Sequence, residues 1–192
     1  YSTIDVESLV MQRLGYKIGI TEEQNFMTGN GVKKPLGLFT LSTSGITTAR
    51  DTTAANAASI VADDVTKLAY SVKKQYFDRG TFIFSRNALI QIRNAKTTNE
   101  YVWQPALGLD VPATILGRPF IVSEKCPSTI STGLYTMLFG DLSYYWIADS
   151  LGMSIQRLVE LYAANDQTAY IVRKYTDGMP VLAEAFARLI QA

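Results

Sequence analysis

Few residues in this 192-residue chain are of types that do acid–base or nucleophilic chemistry, and their spacing works against it. Ser71-Val72-Lys73-Lys74 has the Ser-x-x-Lys pattern in which a lysine amine activates a serine hydroxyl. No Ser-Asp-Asn or Lys-Thr-Gly partner follows, and the segment falls in an amphipathic stretch, so it reads as a polar helix face. Paired carboxylates occur at Glu22-Glu23 and Asp63-Asp64. Neighbouring side chains on a helix point about 100° apart, so neither pair converges on one substrate atom or metal ion. Glu22 and Glu23 are expected to face solvent or a neighbouring chain, and Asp64 to pair with Lys67. Gly29-Asn30-Gly31 resembles the start of a dinucleotide fingerprint, but Lys34 stands where a third glycine is needed and the segment ends a helix. Cys126, beside Pro127, reads as a small buried hydrophobe.

The chain contains no histidine. That removes the usual general base, the third member of nucleophile triads and the commonest zinc ligand. One cysteine makes no intramolecular disulfide and suits a reducing compartment. An enzyme is therefore not expected, and neither a cofactor nor a metal is implied. Eighteen basic against seventeen acidic residues give a net charge of +1, without the basic excess of a protein that grips nucleic acid. The densest basic pairs, Lys33-Lys34 and Lys73-Lys74, read as solvated faces. Trp103 and Tyr144-Tyr145-Trp146 lack interleaved Arg or Lys, so core or subunit-interface packing is favoured over base stacking. An apolar fraction of 47% and a charged fraction of 18% indicate a folded globular chain with a sizeable core. No run is long enough to span a membrane and no signal peptide pattern is present. An opening residue other than Met suggests a fragment or a processed product.

The elements that must hold these residues follow from periodicity. Ser2 to Met27 predicts one long helix, with Val6, Val10, Leu14 and Ile18 four residues apart and Gly29-Asn30-Gly31 as its stop. Gly15 and Gly19 inside it cost about 1 kcal/mol each relative to Ala, for which a close approach by another segment or a local bend are equal explanations. Leu41 to Thr53 reads as loop, and a second helix is expected from about Ala54 to Phe77. Thr81 to Phe84 predicts a strand and Asn87 to Arg93 a short helix. Phe120-Ile121-Val122, Met137-Leu138-Phe139, Tyr144 to Ile147 and Ala169 to Lys174 predict strands. Val181 to Ile190 is helical or extended. Helices first and strands later indicate an α+β fold, with the middle of the chain as a separate lobe.

Phe26-Met-Thr-Gly29-Asn-Gly31-Val-Lys-Lys-Pro35-Leu-Gly37-Leu38, the first of several pieces that fall in one order, is similar to the segment that follows the long spine helix in the tailed-phage major capsid protein family. Asn87 to Arg93, then Tyr101-Val-Trp103-Gln-Pro105, resemble its next stretch. Ile115-Leu-Gly117-Arg-Pro119-Phe120 resembles a Leu-Leu-Gly-x-Pro-Val strand, and Cys126-Pro127 stands where Met-Pro is common. Phe139-Gly140-Asp141 through Trp146-Ile147-Ala148-Asp149 resembles Phe-Gly-Asp-x-x-x-x-Tyr-x-Ile-x-Asp. Arg173-Lys-Tyr-Thr-Asp177-Gly178 with Ala185-Phe186 is similar to the closing motif.

The resemblance implies an α+β coat subunit with two lobes. A peripheral lobe would comprise residues 1–34 and 150–192, and an axial lobe with a mixed sheet and flanking helices residues 35–149. It implies self-assembly into pentamers and hexamers of an icosahedral phage or prophage head enclosing DNA without sequence-specific binding. Scaffold, protease and portal proteins would be partners, no membrane is involved, and assembly would take place in the bacterial cytoplasm before the subunit resides in the virion. Encapsulin-type compartment shells share the implied fold and remain an alternative, as does a small enzyme or ligand-binding α+β module. The arm and extended hairpin that precede the spine helix in the family are not in this sequence, which again suggests truncation. Covalent cross-linking through that hairpin therefore has no residue here. The resemblance assigns its motif residues a structural part, and the glycines of the spine helix a hinge between pentamer and hexamer environments.

Overall fold

In the computed structural model, which describes residues 6–97, 100–101, 103–104, 113–158, 160–165 and 167–192, the first element is a 23-residue helix, α1 (Val6–Thr28). It fits the predicted helix, whose first residues lie outside the described ones. None of its described side chains is fully buried, and Leu9 and Tyr16 are 45% and 66% exposed. The Ser/Thr-rich stretch expected as loop is irregular up to a 3-10 turn at Thr48–Arg50, but its end pairs in the sheet as β1 (Asp51–Thr53).

The second predicted helix is interrupted. Helix occupies only α2 (Ala62–Tyr70) and α3 (Lys74–Phe77). Ala54 instead extends the path of β1, its N–H donating to Ile190 O at 2.8 Å, and Ile60 is buried in the core. Tertiary pairing here overrides the helical propensity of the alanines. Because α2 starts late, Asp64 lies in its first turn and caps it. The buried carboxylate accepts from Ala55 N at 2.9 Å and Val61 N at 3.2 Å, in place of the expected pairing with Lys67.

Next come β2 (Thr81–Phe84), as predicted, and α4 (Arg86–Asn94), whose N-cap Ser85 accepts from Ala88 N. Short pairs follow, β3 (Lys96–Thr97) with β4 (Glu100–Tyr101), and β5 (Trp103–Gln104) with β6 (Thr114–Ile115). Then come β7 (Phe120–Val122), β8 (Tyr135–Gly140), β9 (Tyr145–Leu158), β10 (Ala169–Pro180) and β11 (Phe186–Ile190). The final segment is thus extended, after one 3-10 turn.

Five strands form one mixed sheet in the order β1-β11-β8-β2-β7. β11 runs parallel to β1 and antiparallel to β8, and β2 runs antiparallel to β8 and parallel to β7. The apolar runs of β2, β8 and β11 are buried nearly throughout, as strands covered on both faces require. Phe82, Phe84, Met137, Phe139 and Phe186 meet Val65 and Leu68 of α2 and Ile92 of α4 in one core. Each such side chain contributes roughly 1.5–3 kcal/mol by leaving water. Outside this sheet, β9 and β10 pair with each other as a long antiparallel ribbon, with register shifts around Tyr175. The α+β architecture is as expected, an extended helix and ribbon joined to a mixed sheet with flanking helices.

Candidate functional site

Five of the motif residues, Phe26, Gly29, Gly31, Pro35 and Gly37, build the junction where α1 meets the sheet. The last turn of a helix leaves its carbonyls without partners. Here the chain leaves α1, turns at 30–35 and passes back over the helix end. Gly29 N donates to Asn25 O at 2.8 Å, Leu38 N to Phe26 O at 3.0 Å and Phe39 N to Met27 O at 2.9 Å. Gly31 has φ +74°, in the left-handed region that favours glycine, and its N–H donates to Pro35 O. A Cβ on Gly29 would collide with Pro35 O and Asn25 O, and one on Gly37 would stand 2.6 Å from Gly29 N. Backbone on backbone at this spacing admits only glycine.

The ribbon is stitched to the same junction. Leu36 N donates to Gly178 O at 2.8 Å, and the Tyr145 hydroxyl donates to Leu36 O at 3.0 Å. Phe26 meets the Tyr145 ring edge-on at 5.9 Å. Burial, with the nearby Asp177 charge, pushes the Tyr145 phenol well above its ordinary pKa, so it serves as a neutral donor. Asp177 accepts from Gly178 N at 2.8 Å. The motif thus joins residues distant in sequence, 26–37 and 177–178.

The other motif residues lie apart from it. Gly117, at φ +72°, sits in the turn closed by Arg118 N donating to Ile115 O, and Pro119 O accepts from Phe82 N at 3.1 Å. Gly140 ends β8 against Ala185 O, 2.5 Å from where a Cβ would be. Asp141 is buried and accepts from Ser143 N and Oγ at 3.0 and 2.7 Å. Asp149 and Arg173 are exposed on the ribbon. Trp103 is in β5, and Pro105 lies outside the described residues.

The groups that could have done chemistry are held in structural bonds. Ser71 donates its hydroxyl to Leu68 O at 2.7 Å as the C-cap of α2, and Lys73 Nζ pairs with Glu184 at 2.6 Å. Glu22 and Glu23 do not face solvent alone, contrary to expectation. Glu22 pairs with Lys174 of β10 at 2.6 Å, and Glu23 accepts from the buried Ser123 hydroxyl. Glu22 clips α1 to the ribbon and Glu23 clips it to the residue that follows β7. The Cys126 thiol is buried and pushed up to about 12, chiefly by burial, with its sulfur 3.9 Å from that of Met27. A thiol so protonated is a packing group. Among the described residues no cluster of acidic or sulfur ligands could hold a metal ion, and no helix is long and apolar enough to cross a membrane.

Sequence reasoning missed Arg188. Its guanidinium is fully buried, donates to Asp51 Oδ1 at 2.8 Å and to Thr40 O at 2.9 Å, and lies 4.2 Å over the Tyr135 ring. Tyr135 in turn donates to Asp51 Oδ2 at 2.8 Å. The cluster ties β1, β8 and β11 together with the 40–47 loop. The signal was a lone Arg inside Phe-Ala-Arg-Leu-Ile, where an apolar strand would otherwise be continuous.

What the sheet hides, the helix and ribbon expose. Trp146, Ile147, Met153, Ile155, Tyr175 and Met179 stand open on the ribbon, Trp146 at 64%.

A sequence profile described as the phage capsid family matches residues 1–190. No curated protein sequence matches significantly. Among solved structures, the fold is similar to the capsid of an empty GTA particle, with 23% identity and a TM-score of 0.84 over 100% of this chain and 68% of that one. It is also similar to the SrpI encapsulin of Synechococcus elongatus PCC 7942, with 19% identity and a TM-score of 0.64 over 99% of this chain and 67% of the other. A third likeness is the capsid of the cyanophage P-SCSP1u, with 11% identity and a TM-score of 0.59 over 100% and 67%.

Proposed function

The chain belongs to the phage capsid family, and from that premise we propose how its parts serve a shell. It is a major capsid subunit, a structural protein of the virion that assembles with copies of itself into the pentamers and hexamers of an icosahedral head. The observation that carries the finer reading is the contrast in burial. A 23-residue helix with no described side chain fully buried, beside a ribbon with open Trp146, Ile147 and Met179, is a surface that a second copy completes.

In this reading residues 1–34 and 150–192 form the peripheral lobe and residues 35–149 the axial lobe. The strand β11, whose numbers fall in the first group, hydrogen-bonds within the axial sheet. The motif residues at 26–37, 117–119, 140–141 and 177–178 keep the subunit's shape, and none has a catalytic part. The subunit needs no cofactor, encloses DNA without reading its sequence, and meets scaffold, protease and portal proteins during assembly in the host cytoplasm.

Expression of the complete reading frame, followed by negative-stain electron microscopy, tests the reading. Rings or closed shells are the expected result, and monomers alone with scaffold supplied would overturn it. In this reading Gly15 and Gly19 are the hinge of α1, and no close approach within the chain requires them, because a Cβ at either meets nothing within 4 Å. Gly15→Ala with Gly19→Ala should therefore stabilise the helix by about 1 kcal/mol per site while disturbing shell curvature. Shells of unchanged size and yield would remove the hinge.

A further inference from the structure

Between α1, the 30–35 turn and β10 lies a cleft of about 440 Å³ whose charged lining is Lys17, Lys33, Lys34 and Lys174 with Glu22. Glu22 and Lys174 neutralise each other at 2.6 Å. The ammonium groups of Lys17, Lys33 and Lys34 have no carboxylate partner among the described residues, so the cleft carries three uncompensated positive charges in a chain whose net charge is +1. Lys33 has φ +56°, a left-handed backbone rarely adopted by a residue with a Cβ, inside the turn that the glycine junction fixes. Thr176 lines the same cleft, and its hydroxyl is buried with no hydrogen-bond partner. A buried hydroxyl left without a partner is uncommon in a finished structure and is satisfied when a ligand acceptor arrives.

We propose that this cleft binds the phosphate backbone of nucleic acid, and hence that the face of the subunit bearing it is the lumenal one. The inference rests on the coat-subunit reading for the presence of enclosed DNA. Three lysines, with no arginine fork, act as point charges that accept a phosphate from many directions. Ammonium groups meet the phosphates, which carry no sequence information, so contact would be to backbone and independent of sequence. An acidic protein segment is the competing ligand. It is disfavoured because a wall around DNA faces phosphate at high local concentration, and because weak, delocalised contact suits a near-neutral shell.

Fluorescence anisotropy of a labelled mixed-sequence DNA duplex with the purified chain tests the proposal. Three neutralised phosphates give a slope of log K against log salt of about −2.7, so affinity should fall about 40-fold between 50 and 200 mM salt. The triple variant Lys17→Ala, Lys33→Ala, Lys34→Ala should lose this salt-dependent binding. A control of equal charge loss, Lys67→Ala, Lys74→Ala, Arg79→Ala, should keep it. Equal loss in both triples would reduce the effect to net charge and overturn the site. Binding of a poly-glutamate peptide in place of the duplex would overturn the choice of ligand. In assembled particles, the three lysines should be protected from an amine-modifying reagent when DNA fills the shell and reactive when it is empty, and equal reactivity would refute the lumenal assignment. Shell formation scored by microscopy should be unchanged in the triple variant, which separates failure of this site from failure of the coat reading.

Discussion

The five-stranded sheet and the α1–ribbon arm both carry large apolar side chains, yet they use them oppositely. In the sheet, Phe82, Phe139 and Phe186 are fully buried, and even the guanidinium of Arg188 is out of water. In the arm, Tyr16, Trp146 and Tyr175 face solvent, the helix is held to the ribbon by the polar pairs Glu22–Lys174 and Glu7–Arg157, and Glu23–Ser123 ties it to the body. Burial gives the first region its stability as a single chain. The second is held in place but left unfinished, which is what a subunit needs if its arm must adapt to different neighbours while its body stays rigid.

Removing the buried cation should affect stability most. Arg188→Ala removes the countercharge of Asp51, leaving its Oδ1 and the carbonyl of Thr40 without their donor in the interior, at a cost of about 3–5 kcal/mol. A urea-denaturation midpoint would read this directly, and the double variant Arg188→Met, Asp51→Leu should recover much of the loss, because two apolar groups then fill the place of the pair. A single variant within 1 kcal/mol of the parent, on the order of an ordinary surface change, would mean that the cluster is not the clamp described here.

The contrasting substitution lies on the ribbon. Trp146 and Met179 are cross-strand partners on an exposed face. Trp146→Ser with Met179→Ser should leave the midpoint within about 0.5 kcal/mol of the parent. The same change should reduce assembly, read by analytical ultracentrifugation. Stability lost with assembly intact would invert the comparison.

The smallest effects distinguish the two regions by pH. The hydrogen bond from Lys73, and then its charge, lower the pKa of Glu184 from the ordinary 4.5. A lowered carboxylate contributes stability above its unfolded value, and the contribution is lost as pH falls through the folded value. The hydrogen bond to Glu22 raises Lys174 above 10.5, with burial opposing and the charges of Glu22 and Asp149 adding to it. A raised lysine contributes below its unfolded value, and that is lost as pH rises through the folded one. Lys73→Gln should therefore flatten the acid limb of the stability profile, below about pH 4.5, and Lys174→Gln the alkaline limb, above about pH 10.5. Profiles that change in the opposite limbs would contradict both assignments.

Much of the fold was legible where local signals and tertiary context agree. The α1 stripe, the Gly29-Asn30-Gly31 stop, strand 81–84 and the helix at Arg86–Asn94 all follow from period and capping alone. The stretch 54–61 was not, because Ala54 and Ile60 take their conformation from the sheet and core they join. The ribbon is longer than its predicted pieces, Tyr144 to Ile147 and Ala169 to Lys174, since pairing with β10 carries β9 on to Leu158. The junction motif was visible as glycines in order, but its reason, backbone passing against backbone with Gly178 brought alongside, is a fact of three dimensions. Arg188 was hidden because a charge in a strand looks like an outward-facing residue until both faces are seen to be covered.

The position of β11 in the sheet sets a schedule for folding. It is the strand that bridges β1 and β8, with Asp51 opposite Arg188 across most of the sequence. Contacts so distant in the chain form slowly, since a long loop must close before they do. A nascent chain that has already made its helix and ribbon still lacks the strand that completes its sheet. The sheet of a subunit can therefore be completed only after translation has reached residues 186–190.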